Sequence, residues 1–463
     1  MSTDRVGGSF RDPSGFLFVR DGTVYRQINP AGAENYDRFI ASGLYATLSA
    51  RRQLLTHEEV DLGAADPAAD RIIRPAQIPF ISYPYEWSFG QLKAAALLTL
   101  AIQRTALDHG QVLRDASAYN IQFLGSTPVF IDTLSFGAYH EGEPWVGYQQ
   151  FCKHFLAPLA LMAKVDVSLS QLLRVHIDGV PLALACKLLP RSTKLSFPLL
   201  THLHLHARST RKWANAGACS EAAVQRLRRG RVSRNAMIGI IDSLEHGING
   251  LEWTPTGTEW SDYHANTNYT QASHEHKGQL VARFVAQTGA KVVWDLGANT
   301  GRFSTIAADC GAMVYSFDID PAAVERNWRS VVASNEARIL PLLQDFTNPS
   351  PAIGWDLDER RSLLDRANAD LVMALALIHH LAIANNVPLG RIARFLQRLG
   401  RHLVVEFVPK EDSQVRRLLA TREDIFPEYH LDGFEQAFAP YFRVIERLPL
   451  RESVRTLYLV ERR

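Results

Sequence analysis

Cysteine is scarce in this chain: Cys152, Cys186, Cys219 and Cys310 are the 4 in 463 residues, and no two form a CxxC pair. Thiols so far apart argue against a disulfide framework or a structural zinc site and fit a reducing compartment. Long apolar runs are missing as well. The longest, residues 94–102 and 371–378, are much shorter than the roughly 20 residues that span a bilayer. The opening residues, MSTDRVGGSFRDPSG, have no apolar stretch of the kind a secretory leader needs, so a cytoplasmic location is expected. An excess of one charge is also lacking, since 50 Lys and Arg face 48 Asp and Glu for a net of +2. Nothing global therefore calls for nucleic acid or a membrane as partner.

What remains is the composition of a globular protein, 46% hydrophobic with 29 Gly and 22 Pro, and too long for one ordinary core. Residues 16–19 and 24–28 read as a β-hairpin around Asp21-Gly22, a pair suited to a tight turn with positive φ. Residues 34–59 look helical, and 92–109 form an apolar helix ending at Gly110. Short strands bracket Gly125-Ser126-Thr127-Pro128, and residues 145–207 are helical and apolar. His202, His204 and His206 alternate as on one face of a strand, which predicts surface residues, since no Cys or carboxylate accompanies them. The composition then turns basic from Arg208 to Arg234. These shifts predict a first domain over 1–210, a basic helical linker over 211–264 and a second domain over 265–463.

The last 200 residues or so alternate strand and helix, with strands at 291–296, 312–318, 371–377 and 402–408. Such βαβ repetition predicts an α/β fold with a parallel, doubly wound sheet and a ligand site at the carboxyl ends of its strands. Two β-rich runs, 442–448 and 455–461, close the chain as an antiparallel pair.

At the end of the first of these strands stands Asp295-Leu296-Gly297-Ala298-Asn299-Thr300-Gly301. The Asp-x-Gly-x-x-x-Gly pattern, Asn299 in place of the middle glycine of a dinucleotide loop, and the closing pair resemble the class I, Rossmann-like S-adenosylmethionine-dependent methyltransferases over residues 265–463. That resemblance implies a seven-stranded sheet and S-adenosyl-L-methionine as cofactor. It implies that Gly297, Asn299 and Gly301 make room for the methionine part and that Asp295 holds its ammonium group. Asp318, 23 residues after Asp295, would accept from both ribose hydroxyls, with Ile319 beside it. Asp345 and Phe346 would meet the adenine, and Ala374 would line the end of the fourth strand.

His379-His380-Leu381 follows that strand, as in many small-molecule members of the family. Transfer needs the acceptor held in line with the methyl and, where it is protonated, a base. Neutral imidazole suits that task, making His379 and His380 catalytic candidates. Glu406, at the end of the fifth strand, is a third candidate, with a salt-bridged strand-end carboxylate as the alternative. Tyr263, Tyr269 and Lys277 are expected on a segment folded over the cofactor. His274 and His276 form no metal site, since no third ligand has suitable spacing.

In the first domain, Leu113-Arg114-Asp115-Ala116-Ser117-Ala118-Tyr119-Asn120 resembles the catalytic loop of protein-kinase-like folds, with Asp115 and Asn120 at the family's spacing and Asp132 after a strand–turn–strand. The departures are Arg26 in Val24-Tyr25-Arg26-Gln27-Ile28, where that family has lysine, Thr133-Leu134 after Asp132, and no glycine-rich loop before Val24. A degenerate kinase-like domain that recognises or presents the acceptor is the implied architecture. The combination also resembles nodulation-type methyltransferases of rhizobia. The expected acceptor is an oxygen or nitrogen of a small molecule or glycoconjugate. One alternative is an RNA or protein acceptor docked on the basic linker around Arg226, Arg228 and Arg229. Another is a kinase-like domain that binds ATP or transfers phosphate.

Overall fold

The computed structural model describes residues 4–63, 66, 68–215, 232–255, 270–420 and 422–463. The chain divides into two units, one formed by Met1–Thr254 with Ile353–Arg360 and the other by Pro255–Ala352 with Arg361–Arg463. The boundary thus differs from the expected 1–210, 211–264 and 265–463. The reason lies in the helix Arg234–Asn249, which was expected in the linker. Ser233 caps it, and Met237, Ile241, Leu244 and Ile248 bury one face. It packs in the first unit, where Lys93 donates to the carbonyls of Asn249 and Leu251 at 3.0 and 2.8 Å. An apolar stripe of that period needs a partner, which makes the helix part of a core.

The first unit opens with strands β1 (Asp4–Arg5), β2 (Gly15–Arg20), β3 (Thr23–Ile28), β4 (His57–Glu59) and β5 (Arg71–Pro75) in one antiparallel sheet of order β1-β2-β3-β5-β4. The expected hairpin is present as β2 and β3, with Asp21 and Gly22 at φ 50 and 75. The helix expected over 34–59 is instead two helices, Pro30–Ala41 and Leu44–Ala50, followed by β4. Gly43, at φ 75, breaks it, because a left-handed residue cannot continue a right-handed helix. A capping box of Ser88 and Gln91 starts the buried helix Phe89–Asp108. Beyond it lie β6 (Gln111–Leu113), β7 (Ile121–Leu124), β8 (Thr127–Phe130) and β9 (Phe136–Ala138), paired as β6–β9 and β7–β8.

Residues 148–215 are mostly helical, with wide π turns at Cys152–Leu156 and Leu200–Leu205. His202 and His204 therefore lie on a helical segment and are buried, contrary to the strand expected from their alternation. His202 bridges the Tyr148 hydroxyl at 2.7 Å and the Ser243 hydroxyl at 2.9 Å, which satisfies both ring nitrogens. The segment Ile353–Arg360 also belongs to this unit. Arg11 holds Glu359 through Nε and Nη2 at 2.9 and 2.6 Å, and the Arg360 guanidinium lies 4.0 Å over the Tyr119 ring.

The first helix among the described residues of the second unit is Gln271–Thr288, capped by Thr270 and closed by Gly289 at φ 62. Its strands are β10 (Val292–Leu296), β11 (Met313–Asp318), β12 (Ile339–Leu343), β13 (Ala369–Ala374), β14 (Gly400–Phe407), β15 (Phe442–Pro449) and β16 (Thr456–Arg462). The sheet order is β12-β11-β10-β13-β14-β16-β15, parallel from β12 to β14, with β16 antiparallel to both β14 and β15. Val293, Val314, Leu371, Met373, Val404 and Leu459 join Val281 and Phe284 in one core under the sheet. Near-continuous apolar strands are what a sheet covered on both faces requires. β13 stops at Ala374, short of the expected 377, because Ala376 takes φ 52 and the chain enters a π turn at His380–Ala384.

Candidate active site

The carboxyl ends of β10, β11, β13 and β14 bring the expected residues of the second unit to one edge of the sheet. After β10 the chain turns through Gly297, Asn299 and Gly301, at φ 73, 51 and 85. Two of the three are glycine and the other is asparagine, the side-chain-bearing residue that best tolerates this conformation. Gly301 has a second reason: a Cβ there would sit 2.4 Å from Asn327 Oδ1. The turn is locked to the neighbouring strand. The amide of Asn299 donates to Asp318 Oδ2 at 2.7 Å, and that of Asp320 donates to Oδ1 at 2.8 Å.

Asp318 is 8% exposed at the tip of β11, and Ile319 beside it is 55% exposed. Asp295 lies deeper, at 1% exposure, and accepts from the Ser304 hydroxyl at 2.7 Å. Ser304 also meets Ser316 at 2.9 Å, and Asn327 donates to Ser316 at 2.8 Å. Burial pushes both carboxyls up to about 6, against the pull of those hydrogen bonds and, for Asp295, of nearby Lys277. At the end of β12, Asp345 Oδ1 accepts from the amide and hydroxyl of Thr347, a local turn that aims the carboxylate back at its own loop. Phe346 stands edge-on to Phe317 at 6.0 Å. Ala374, the last residue of β13, is buried between its register partners Leu296 and Val405.

His379 and His380 follow, with ring centroids 4.1 Å apart. His379 is fully buried, and among the described residues neither ring nitrogen has a hydrogen-bond partner. Burial holds its pKa well below 6.5, and burial brings His380 down to about 4. Both imidazoles are thus neutral at physiological pH.

Glu406 is fully buried, and Lys277 Nζ reaches its Oε2 at 2.7 Å while Arg455 Nη1 stands 3.6 Å from Oε1. Arg455 is in turn held by Asp412, at 2.7 and 3.1 Å. This is the ion-paired strand-end carboxylate that was the alternative to catalysis, and both of its oxygens are engaged. Lys277 corrects a second expectation: at 2% exposure it lies inside the unit, paired beneath the site, and not on a lid. An ammonium takes such a place only when a carboxylate compensates its desolvation. Tyr263 and Tyr269 lie outside the described residues, as do Arg226, Arg228 and Arg229. Sequence reasoning missed Ser304, Ser316, Asn327, Asp412 and Arg455. They are ordinary polar residues far apart in the chain, joined only by the fold.

The first unit also gathers its expected trio. Asn120 Nδ2 donates to the Asp115 carbonyl at 3.4 Å and to the Ser135 hydroxyl at 3.3 Å, and Ser135 donates to Asp132. Arg26, from β3, pairs with Asp132 and reaches Asp12 at 3.2 Å. Asp115 accepts from the Ser117 amide at 2.9 Å, and burial, then the nearby Asp132 charge, raises its pKa.

A parallel sheet that gains its seventh strand as an antiparallel insertion, with a glycine turn after its first strand, is the Rossmann-like fold of class I methyltransferases. Among solved structures it resembles the N-methyltransferase NodS from Bradyrhizobium japonicum WM9, at 13% identity over 42% of this chain and 97% of that one, with a TM-score of 0.32. It also resembles the magnesium protoporphyrin IX methyltransferase from Synechocystis PCC 6803, at 16% identity over 41% and 84%, with a TM-score of 0.30. No family model matches the chain. Over its whole length it is 40% identical to nodulation protein NoeA of Rhizobium meliloti (strain 1021), across 473 aligned positions that cover 99% of this chain and 96% of that protein. The chain belongs to the NoeA nodulation protein family, in keeping with the rhizobial resemblance read from its sequence.

Proposed function

We propose that the chain is an S-adenosylmethionine-dependent methyltransferase acting on an oxygen or nitrogen of a small molecule or glycoconjugate. The observation that carries this reading is the clasp between Asp318 and the Asn299 amide, at 2.7 Å, which fixes a carboxylate beside an open glycine turn. The residues present fit such a cofactor. Gly297 takes φ 73, a conformation strained for a residue with a Cβ, so glycine suits the turn and leaves its face bare. A carboxylate has about four acceptor sites, so the bonds from the Asn299 and Asp320 amides do not exhaust Asp318, which can receive a ribose hydroxyl. Asp295 would face the ammonium group, and Ile319 and Phe346 would flank the adenine. When bound, the cofactor supplies an electrophilic methyl on a sulfonium, which passes to the acceptor in one in-line displacement.

The chain's own part is to position the acceptor and manage its proton. His380 is half-buried and neutral, placed to accept a proton as the acceptor atom bonds to the methyl. His379, fully buried behind it, is a positioning residue. Labelled S-adenosylmethionine incubated with the chain and a metabolite extract should transfer its methyl to a discrete product, and His380→Ala should slow this at unchanged cofactor affinity. Transfer unaffected by that substitution would remove His380 from the mechanism, and no labelled product from any extract would sink the activity.

For the first unit we infer a kinase-like scaffold that recognises the acceptor. The sheet order β1-β2-β3-β5-β4 and the convergence of Asp115, Asn120 and Asp132 support it. Retained nucleotide binding is the second reading. Magnesium-dependent ATP binding that is lost in Asp132→Ala would establish it, and no binding at millimolar ATP would remove it.

A further inference from the structure

The balanced net charge hides a one-sided stretch of chain in the first unit. From Gly179 to Ser220 the sequence contains no Asp or Glu. Within that stretch Leu195 is 90% exposed and Phe197 71%, with Leu205 at 47% and Leu188 at 42%. Single exposed apolar residues need no explanation, but a local group of them does. Lys187, Arg191, Lys194 and Arg208 are exposed in the same stretch.

The turns and helices that carry these residues pack on one another. The Thr193 hydroxyl, buried, meets His204 Nε2 at 2.9 Å and donates to the Pro190 carbonyl at 2.7 Å, which pins the turn Arg191–Leu195 against the π turn Leu200–Leu205. Lys194 and Arg208 both act electrostatically on His204, and Lys194 also acts on Cys186, so these two cations lie about the His204 ring. Behind Phe197, Pro198 and Leu199 are buried, and Pro198 packs so closely on the helix Arg234–Asn249 that a Cβ on Gly247 would lie 2.8 Å from its own Cβ. The Leu195–Phe197 knuckle is therefore held outward on a rigid base.

We propose that this knuckle, with the exposed cations Lys187, Arg191, Lys194 and Arg208 of the elements packed around it, docks the chain on an anionic lipid surface. Aliphatic and aromatic side chains gain by entering the boundary between headgroups and acyl chains, while the surrounding cations meet lipid phosphates. The chemistry fits other occupants less well. RNA rewards several stacking rings, whereas here Phe197 is one ring among the exposed aliphatic Leu188, Leu195 and Leu205. A second copy of the chain in a two-fold contact would set the same cations against one another. The docking is peripheral, since no described helix is long and apolar enough to cross a membrane. It also revises the expectation, drawn from net charge, that no membrane partner exists.

Flotation of the full chain with phosphatidylcholine vesicles, with and without phosphatidylglycerol, tests this. Binding should appear only with the anionic lipid and weaken as salt is raised. Leu195→Glu with Phe197→Glu should lower vesicle affinity at least about tenfold, and Lys187→Gln and Lys194→Gln about fivefold each. All four side chains point into solvent, so unchanged melting curves are expected and confirm that the variants fold. No flotation with anionic vesicles, or flotation that survives Leu195→Glu with Phe197→Glu, would overturn the proposal. So would a dimer seen by sedimentation, or a bound single-stranded RNA probe, that those two substitutions abolish while flotation persists.

Discussion

Both units gather carboxylates at the ends of strands, yet they treat them in opposite ways. In the second unit the hydrogen-bond donors to Asp318 are backbone amides and that to Asp295 is a hydroxyl, all neutral, and Lys277, although near Asp295, is bonded to Glu406. In the first unit Asp132 already has a cation, Arg26, and a hydroxyl, Ser135. Neutral donors orient a carboxylate without cancelling its charge, and that leaves it ready for a cationic or polyhydroxylated ligand. A guanidinium cancels the charge. The contrast suits a cofactor site in one unit and a self-satisfied scaffold in the other.

The largest expected effect probes what lies beneath the second site. Lys277→Ala leaves Glu406 buried without its ammonium partner and should cost about 3–5 kcal/mol in chemical unfolding. Lys277→Met combined with Glu406→Gln should recover much of that loss. Next in size, Asp318→Ala should weaken S-adenosylmethionine binding at least about a hundredfold, since two charge-assisted hydrogen bonds at the low end of their range, about 1.5 kcal/mol each, amount to about 3 kcal/mol. Asp132→Ala should leave that affinity unchanged, and a matching loss there would break the contrast between the units.

A smaller effect comes from pH. Asp295 and Asp318 sit at about 6 before any ligand arrives, and the ligand favours their ionised forms. Affinity should hold above pH 7 and fall as pH drops through 6, by about tenfold per carboxylate at pH 5. An affinity that is flat from pH 8 to 5 would show that these carboxylates do not face the cofactor. Smallest of all, Arg26→Ala should cost on the order of 1 kcal/mol in stability without altering methyl transfer, because Asp132 keeps Ser135 and some exposure to water.

Much of the second unit was legible in the sequence because its strands are short apolar runs and its glycine turn has a spacing that few folds share. The tip residues Asp318 and Ile319 could be read for the same reason, as they end such a run. Lys277 was expected over the cofactor because it follows a polar, aromatic lead-in, and its partner Glu406 lies far along the chain. The helix Arg234–Asn249 was hidden by the basic composition before it, although its own apolar period was present. His202 and His204 misled through their alternation, which a π turn can carry while burying both. Nothing local marked Ile353–Arg360 as a piece of the first unit, since its attachment depends on Arg11 and Tyr119, both distant in sequence.

The most direct test of the central claim is calorimetric titration of the full chain with S-adenosylmethionine, alongside Gly297→Val. Saturable one-to-one binding by the wild-type chain, lost when a branched side chain fills the turn, is the predicted result. No binding by the wild-type chain, or equal binding by both, would contradict it.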